Sequence, residues 1–333
     1  MEMDGSFFMG EKKRIVVILG MHRCGTSVLS MFLNAIGIDF GRNFRPHDEW
    51  NAEGYWENKD ILAIHEKILD ELKSEWKDPR IFLDPDWPHR PEIQDLKHRL
   101  LETVRSETGK TQSIWGFKDP RTSILLPIWR DIFGELELEP SFLLAVRSPG
   151  AVAASLERRD GLSGPHSQLL WLKHNLNALA HAGNDIRTVV DYDGWFEPGF
   201  KQARMVVDSL MLPWEVGEER LAEAIDLAIR PQLRHHQPRK HEDCSPTVER
   251  LYTNLSEAAA TGTIPEESRE IIAGIEKVSD VLNLWSEVFS KSDSQLTKTG
   301  RLLRHQRKNL QVSFGIIVAL VVFLLGFFVL TRF

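Results

Sequence analysis

The sequence is poor in cysteine, with two among 333 residues, Cys24 and Cys244. They lie far apart, and neither belongs to a CxxC pair or to a cysteine and histidine spacing typical of zinc. This excludes a disulfide-dense scaffold and predicts no metal requirement. With 42% hydrophobic and 27% charged residues, the composition also excludes a chain that is disordered or collagen-like throughout.

Acidic residues are absent from residues 298–333, where six basic residues occur: Lys298, Arg301, Arg304, Arg307, Lys308 and Arg332. The formal net charge of the chain is −7, and removing these six charges leaves −13 for the rest. Surfaces that bind nucleic acid need clustered Lys and Arg to displace counterions from phosphates. The acidic remainder therefore predicts no nucleic-acid partner.

An uncharged apolar run at residues 312–330 follows most of these basic residues. It is long enough for a helix to cross a hydrocarbon core of about 30 Å, although a buried core helix is the alternative. Basic residues concentrate before it, which predicts a single-pass C-terminal anchor with the large N-terminal body in the cytoplasm. The first 14 residues carry acidic side chains and no apolar signal segment, so no secretory signal is predicted.

Between the body and this run, residues 246–311 are predicted to form a helical stalk with a basic juxtamembrane segment. One apolar seam recurs there in steps of four and three residues: Ile271, Ile275, Val278, Leu282, Trp285 and Phe289. Two interpretations stay open. The seam makes a coiled-coil homodimer, or the helix packs on the body.

The body, residues 11–245, alternates short apolar runs with helical patterns. Residues 14–20, 113–117, 141–146 and 187–192 are rich in Ile, Val and Leu, and they predict buried strands. Helices are predicted after them, at residues 26–36, 122–133, 149–159 and 198–211. This order indicates an α/β fold, a parallel sheet flanked by helices.

The segment between the first strand and its helix reads Gly-Met-His-Arg-Cys-Gly-Thr-Ser, residues 20–27. A glycine-bearing turn at a helix N-terminus presents backbone N–H groups and the positive end of the helix dipole, so it predicts a phosphate site. The lysine of a nucleoside triphosphate P-loop is replaced by Thr26, and the cation is Arg23 instead. Such a lysine holds the β- and γ-phosphates, which makes a triphosphate substrate the weaker prediction.

This loop resembles the phosphosulfate loop of the sulfotransferase family, with Cys24 where serine is usual. Arg147-Ser148-Pro149 after the third strand, followed by Ser155, resembles the family's 3′-phosphate motif. Residues 51–57 and 118–121 are similar to a bacterial sulfotransferase-like group, and the likeness covers about residues 14–235. The resemblance implies a P-loop NTPase-like sulfotransferase fold and the co-substrate 3′-phosphoadenosine 5′-phosphosulfate (PAPS). The nucleotide-binding residues it implies are Arg23, Cys24, Gly25, Thr26, Ser27, Arg147 and Ser155.

Sulfuryl transfer needs a base for the acceptor and cations for the leaving phosphate. Lys118, at the end of the second strand, is the predicted second cation beside Arg23. The family places a glutamate after the first helix, so Glu57 is the predicted base and Glu53 the next choice. His22 faces either the site or the backbone of its own loop.

The resulting hypothesis is a membrane-tethered sulfotransferase that modifies a hydroxyl or amine of a small molecule, glycan or lipid. A glycolipid or polysaccharide acceptor would fit a membrane anchor. The alternatives are an ATP-dependent phosphotransferase and an inactive membrane scaffold that retains the fold.

Overall fold

The computed structural model describes residues 12–47, 54–197, 199–229 and 244–277. All described residues belong to one compact unit, within Met1–Glu287. The predicted membrane span at residues 312–330 and its basic neighbours lie outside the described residues. Within the described ranges, no helix is long and apolar enough to cross a membrane.

In the part of the chain that the structure describes, four parallel strands form one sheet in the order β2-β1-β3-β4. Their bounds are β1 Lys13–Gly20, β2 Trp115–Lys118, β3 Leu138–Val146 and β4 Ile186–Asp191. The aliphatic runs of β1 and β3 are fully buried, as expected for strands that are covered on both faces. The predicted α/β fold with a parallel sheet flanked by helices is confirmed.

The helices that flank the sheet have these bounds: α1 Thr26–Ala35, α2 Lys59–Glu71, α3 Pro91–Lys110, α4 Leu126–Glu135, α5 Pro149–Asp160, α6 Gly164–Ala182, α7 Lys201–Leu210, α8 Glu218–Ala228, α9 Pro246–Thr261 and α10 Glu267–Glu276. The helix predicted at 122–133 begins later, because residues 120–123 form a 3₁₀ turn. Proline lacks an N–H and is favourable in the first turn of a helix, and Pro127 accordingly lies at the start of α4.

Hydrophobic cores lie on both faces of the sheet. Successive side chains of a strand point to opposite faces, so Val17 and Leu19 pack into one core while Val16 and Ile18 pack into the other. The first core includes side chains of α2, α3, α4, α6 and α9, and the second those of α1, α7 and α8. Both faces of the sheet are therefore closed, and its strand ends are left for the loops.

Part of the predicted stalk packs on the sheet domain, since α9 and α10 lie within residues 246–277. The hydroxyls of Tyr252 and Ser256 on α9 donate hydrogen bonds to Asp191 Oδ2 at the end of β4, at 3.1 and 3.0 Å. Ile271, the first residue of the apolar seam, is buried on α10 in the same core as α9. The seam beyond residue 277 lies outside the described residues.

Candidate functional site

The carboxyl ends of the four strands meet at one edge of the sheet. Gly20 at the end of β1 pairs with Ala145 in β3, and Val146 pairs with Asp191 in β4. The chain reaches β2 on one side of β1 and then β3 on the other, so the strand order reverses between β1 and β3. In open α/β sheets, ligands bind at the carboxyl ends of the strands where the order reverses. The loop after β1 and the segment after β3 both occupy this place.

The loop after β1 is shaped by two glycines with positive φ. At Gly20, φ is 132°, and an added Cβ would lie 2.4 Å from the carbonyl oxygen of Ala145. Gly25 precedes α1 with φ of 85°, and an added Cβ would lie 2.5 Å from the ring of Tyr192. Because glycine has no side chain, the N-cap residue Gly25 supplies no side-chain hydrogen bond to the first turn of α1. Backbone N–H groups at a helix N-terminus of this kind can bind an anion.

The two segments that resemble sulfotransferase motifs contact each other across 132 residues of sequence. Arg23 has φ of 71°, and its Nε donates a hydrogen bond to Ser155 Oγ on α5 at 2.8 Å. Arg147 NH1 donates to the backbone carbonyl of Arg23 at 3.4 Å, and its guanidinium lies 4.2 Å from the centre of the Tyr192 ring. The predicted residues Arg23, Arg147 and Ser155 thus form one cluster. Arg23 points toward the predicted 3′-phosphate residues.

Arg159 also joins this cluster, outside the two motifs that predict the site. It lies four residues after Ser155, on the same face of α5. Burial, followed by the charges of Arg159 and Arg147, lowers the pKa of the Arg23 guanidinium. Arg159 also pairs with Asp160, which in turn contacts Lys77 at 3.1 Å. This corner, formed by Arg23, Arg147, Ser155 and Arg159, therefore holds three arginines, and Asp160 opposes their effect on Arg23 only in part. An anion bound there would reduce the remaining repulsion.

The other nucleotide-binding predictions lie in or beside the loop. The thiol of Cys24 is buried, and burial raises its pKa to about 12, so it packs rather than reacts. Thr26 is buried in the first turn of α1. Ser27 Oγ donates to the carbonyl oxygen of Tyr55 at 3.3 Å, which attaches the segment before α2 to the start of α1.

Lys118 and Glu57 form a buried ion pair beside the loop. Lys118 Nζ is 3.0 Å from Glu57 Oε1, and both side chains are 2% exposed. Glu57 Oε2 lies 3.7 Å from Arg45 NH1, whose guanidinium also covers the ring of Tyr55 at 4.0 Å. The predicted base and the predicted second cation are therefore direct partners.

A second buried network follows Lys118 in the chain. Asp119 accepts hydrogen bonds from the side chain of Arg121 at 3.0 Å and from His65 Nδ1 at 3.1 Å. Trp129 Nε1 donates to His65 Nε2 at 2.9 Å, so His65 carries its proton on Nδ1. Arg121 NH2 also contacts Glu66 at 3.1 Å. This network joins α2, α4 and the end of β2 into one support.

Several predicted residues are not reached by the structure. Glu53, the second choice for the base, and the preceding Asn51 and Ala52 lie outside the described residues. Within the described part of the chain, no group of three or more His, Cys, Asp or Glu side chains is placed to hold a metal ion. Both cysteines are free thiols.

Comparisons with known proteins give no relative: no family model, no curated protein and no solved structure matches the chain.

Proposed function

We propose that the protein is a sulfotransferase that moves a sulfuryl group from PAPS to a hydroxyl or amine. The observation that carries the proposal is the contact between Arg23 and Ser155. It joins the loop at the N-terminus of α1 to the strand-Arg-x-Pro segment that contains Arg147. The resemblance to the sulfotransferase family rests on the same two segments.

The residues present fit a nucleotide with two separated anionic groups. The backbone N–H groups at the start of α1, in Gly25, Thr26 and Ser27, suit the 5′-phosphosulfate, since helix N-termini bind anions through N–H groups and the helix dipole. Arg147 and Ser155 suit the 3′-phosphate, because a guanidinium can meet a phosphate with two parallel hydrogen bonds. Arg23 lies between the two and is shared by them.

Lys118 is the cation proposed for the transferred group. It ends β2 at the carboxyl edge of the sheet, and its ion pair with Glu57 fixes the position of its ammonium group. A preorganised cation of this kind stabilises negative charge that develops on a leaving phosphate. Transfer in line from the phosphosulfate needs no covalent intermediate on the protein.

The acceptor and the location of the protein remain sequence-based proposals. We propose a membrane anchor at residues 312–330 that holds the domain on the cytoplasmic side, close to a glycolipid or polysaccharide acceptor. The basic residues before the anchor would meet anionic lipid headgroups. A homodimer through the stalk is proposed for the seam beyond residue 277.

Ligand binding separates this function from an ATP-dependent phosphotransferase. We expect isothermal titration calorimetry on the full-length chain to give tighter binding of 3′,5′-adenosine bisphosphate than of ATP with Mg²⁺. Arg147→Ala should weaken the bisphosphate by about 10-fold or more, because a charge-assisted hydrogen bond contributes about 1.5–3 kcal/mol. Arg99→Ala, an exposed arginine on α3, is the matched control and should change nothing.

Activity is tested with donor labelled in its sulfate group and a total membrane extract as acceptor. Wild type should transfer label, and Arg147→Ala should not. Tighter binding of ATP with Mg²⁺ would contradict the proposal. Bisphosphate binding without any transfer would favour the inactive scaffold.

A further inference from the structure

His22 lies directly before Arg23 in the loop, and the chemistry described so far does not use it. Its side chain is 9% exposed. Among the described residues, its Nε2 atom has no hydrogen-bond partner, although buried polar atoms are nearly always paired. The lone pair or proton of this imidazole nitrogen can therefore be used by a group that arrives with the ligand.

A second histidine lies beside it with the same property. His174 on α6 is fully buried, and its Nδ1 donates to the carbonyl oxygen of Leu170 at 2.8 Å, so Nε2 carries the free lone pair. Within the described ranges that Nε2 atom also lacks a partner. The centres of the His22 and His174 rings are 6.0 Å apart, edge to face.

The half-buried Trp76 also contacts His22, with ring centres 4.4 Å apart. The imidazole thus contacts an indole and a second imidazole, and it belongs to the loop proposed to hold the phosphosulfate. This position suits contact with an acceptor hydroxyl or amine. A general base must lie within hydrogen-bond reach of the proton that it removes.

Glu57 is placed differently. Its side chain is 2% exposed, one carboxylate oxygen contacts Lys118 at 3.0 Å, and the other lies 3.7 Å from Arg45. Its Oε2 atom has no hydrogen-bond partner among the described residues, as for His22 Nε2. A proton there would nevertheless neutralise the carboxylate that pairs with the buried Lys118, and losing one side of a buried ion pair is costly. Glu57 therefore suits the role of holding Lys118 in place.

We propose that His22, and not Glu57, takes the proton from the acceptor during transfer; the inference rests on the proposed sulfotransferase function. The acceptor O–H or N–H bond breaks, and its proton moves to His22. The acceptor lone pair forms the new bond to sulfur. The bond between sulfur and the bridging oxygen breaks, and its electrons stay on the 5′-phosphate, giving 3′,5′-adenosine bisphosphate. His22 then returns the proton to solvent.

The charges around His22 make this step depend on the donor. Burial, followed by Arg121, His174 and Arg159, lowers the pKa of His22, while Asp119 opposes the change. The charged or titratable groups that act on the ring are Asp119 and Arg121 in the turn after β2, Arg159 on α5 and His174 on α6. Arg23 is the next residue of the loop, and Lys77, in the segment after α2, lies 5.1 Å from the centre of the Trp76 ring that contacts His22. An anionic donor bound beside Arg23 and Arg159 adds negative charge near the ring, so His22 becomes a stronger base once the donor is in place.

The first test is a titration of the histidine side chains by NMR in the full-length chain, with and without 3′,5′-adenosine bisphosphate. His22→Gln identifies the resonances of His22. We expect the pKa of His22 to rise when the bisphosphate binds, while the titration of His98, exposed on α3, stays unchanged. A His22 pKa that is the same in both titrations would overturn the inference.

The second test measures transfer of labelled sulfate from PAPS into total membrane extract as a function of pH. His22→Gln should lower the rate by about 100-fold or more, since general base catalysis contributes about 10²–10⁴. The variant should also lose the fall in transfer rate toward low pH. Its bisphosphate affinity should stay within about twofold of wild type, which shows that it is folded. His98→Gln is the matched control.

The outcomes distinguish this inference from the function on which it rests. If wild type neither binds the bisphosphate nor transfers label, the sulfotransferase function fails and the role of His22 with it. If wild type transfers label and His22→Gln keeps its rate and pH profile, only the role of His22 fails. If Glu57→Gln instead abolishes the low-pH limb, Glu57 is the base.

Discussion

Arg23 and Arg121 lie at the same edge of the sheet, yet their surroundings shift their pKa values in opposite directions. Burial and the neighbouring Arg159 and Arg147 lower the pKa of Arg23. Arg121 is also penalised by burial, but the charges of Asp119 and Glu57 outweigh it and raise its pKa. Like charges outweigh the opposing Asp160 around Arg23, whereas opposite charges dominate around Arg121.

This difference in pKa shift distinguishes a ligand-binding site around Arg23 from a structural network around Arg121. Around Arg121, charges are balanced by Asp119 and Glu66, so the network has no need of a ligand to be stable. Around Arg23, like charges are held together at a cost that an anion would offset. A protein tolerates such strain chiefly where it serves function. We expect substitutions around Arg121 to lower the free energy of unfolding, and substitutions around Arg23 to weaken ligand binding.

The largest expected effect is on stability, from Asp119→Ala. This change leaves Arg121 buried without its main carboxylate and removes the acceptor of His65. Breaking a buried ion pair from one side costs about 3–5 kcal/mol, so we expect the free energy of unfolding to fall by about that amount in urea denaturation. Asp131→Ala is the control, because its contact with Lys97 is partly exposed and should matter by less than about 1 kcal/mol. A loss as small in Asp119→Ala would show that the network is not the support.

The same network predicts how stability depends on pH. Burial opposes ionisation of Asp119, but Arg121 and His65 outweigh it and hold its pKa well below the usual value. A depressed pKa in the folded state gives stability that is present above the ordinary pKa of about 4 and is lost as pH falls below it. Wild type should therefore lose unfolding free energy on acidification below about pH 4. Asp119→Asn should show a shallower slope over the same range.

The next largest effect is stabilisation by the ligand at the strained corner. If an anion relieves the repulsion around Arg23, 3′,5′-adenosine bisphosphate should raise the free energy of unfolding by about 2.7 kcal/mol at 100 times its dissociation constant. Thermal unfolding with increasing bisphosphate measures this directly. Adenosine at equal concentrations is the control, because it lacks both phosphates. Equal stabilisation by adenosine would contradict a site that selects anions.

Arg23→Ala tests the same corner by changing the protein instead of the ligand. It removes the guanidinium that contacts Ser155, and we expect bisphosphate affinity to fall by about 10- to 150-fold, or about 1.5–3 kcal/mol. The free energy of unfolding should change far less than in Asp119→Ala, because repulsion from Arg147 and Arg159 disappears together with the hydrogen bond. Calorimetry and urea denaturation on the same sample measure both quantities. A large loss of unfolding free energy with unchanged bisphosphate affinity would show that Arg23 supports the fold and does not bind the ligand.

Sequence patterns were sufficient for the sheet and for part of the site. The aliphatic runs of β1 and β3 are buried on both faces, and such runs identify strands without knowledge of their neighbours. The contact between Arg23 and Ser155 follows from two local motifs, because each motif follows a strand and parallel strands end at one edge. Local signals and topology together define this half of the site.

The buried network around Asp119, His65 and Arg121 could not be predicted from local motifs in the same way. His65 and Trp129 reach each other across 64 residues, and that contact depends on how α2 and α4 pack on the sheet. Helix α6 went unrecognised because it is buried nearly all round, so it has no polar face to create a helical period. His174 and its lone pair were missed with it. Arg159 is a different case, since its spacing of four from Ser155 already placed both on one face of a helix.

The smallest effect distinguishes Arg159 from its neighbour Arg158, and it measures how far the strained corner extends. Arg158 is exposed on α5, whereas Arg159 adds to the positive potential around Arg23 without a hydrogen bond to it among those described. A charge that acts through space near the surface contributes little, so Arg159→Ala should weaken the bisphosphate by about two- to fivefold, or about 0.4–1 kcal/mol. Arg158→Ala should have no effect beyond error. The loss for Arg159→Ala should shrink at high salt, because screening removes a through-space contribution but leaves direct contacts largely intact. A loss that ignores salt would mean that Arg159 touches the ligand, and the site would then extend one helical turn beyond Ser155.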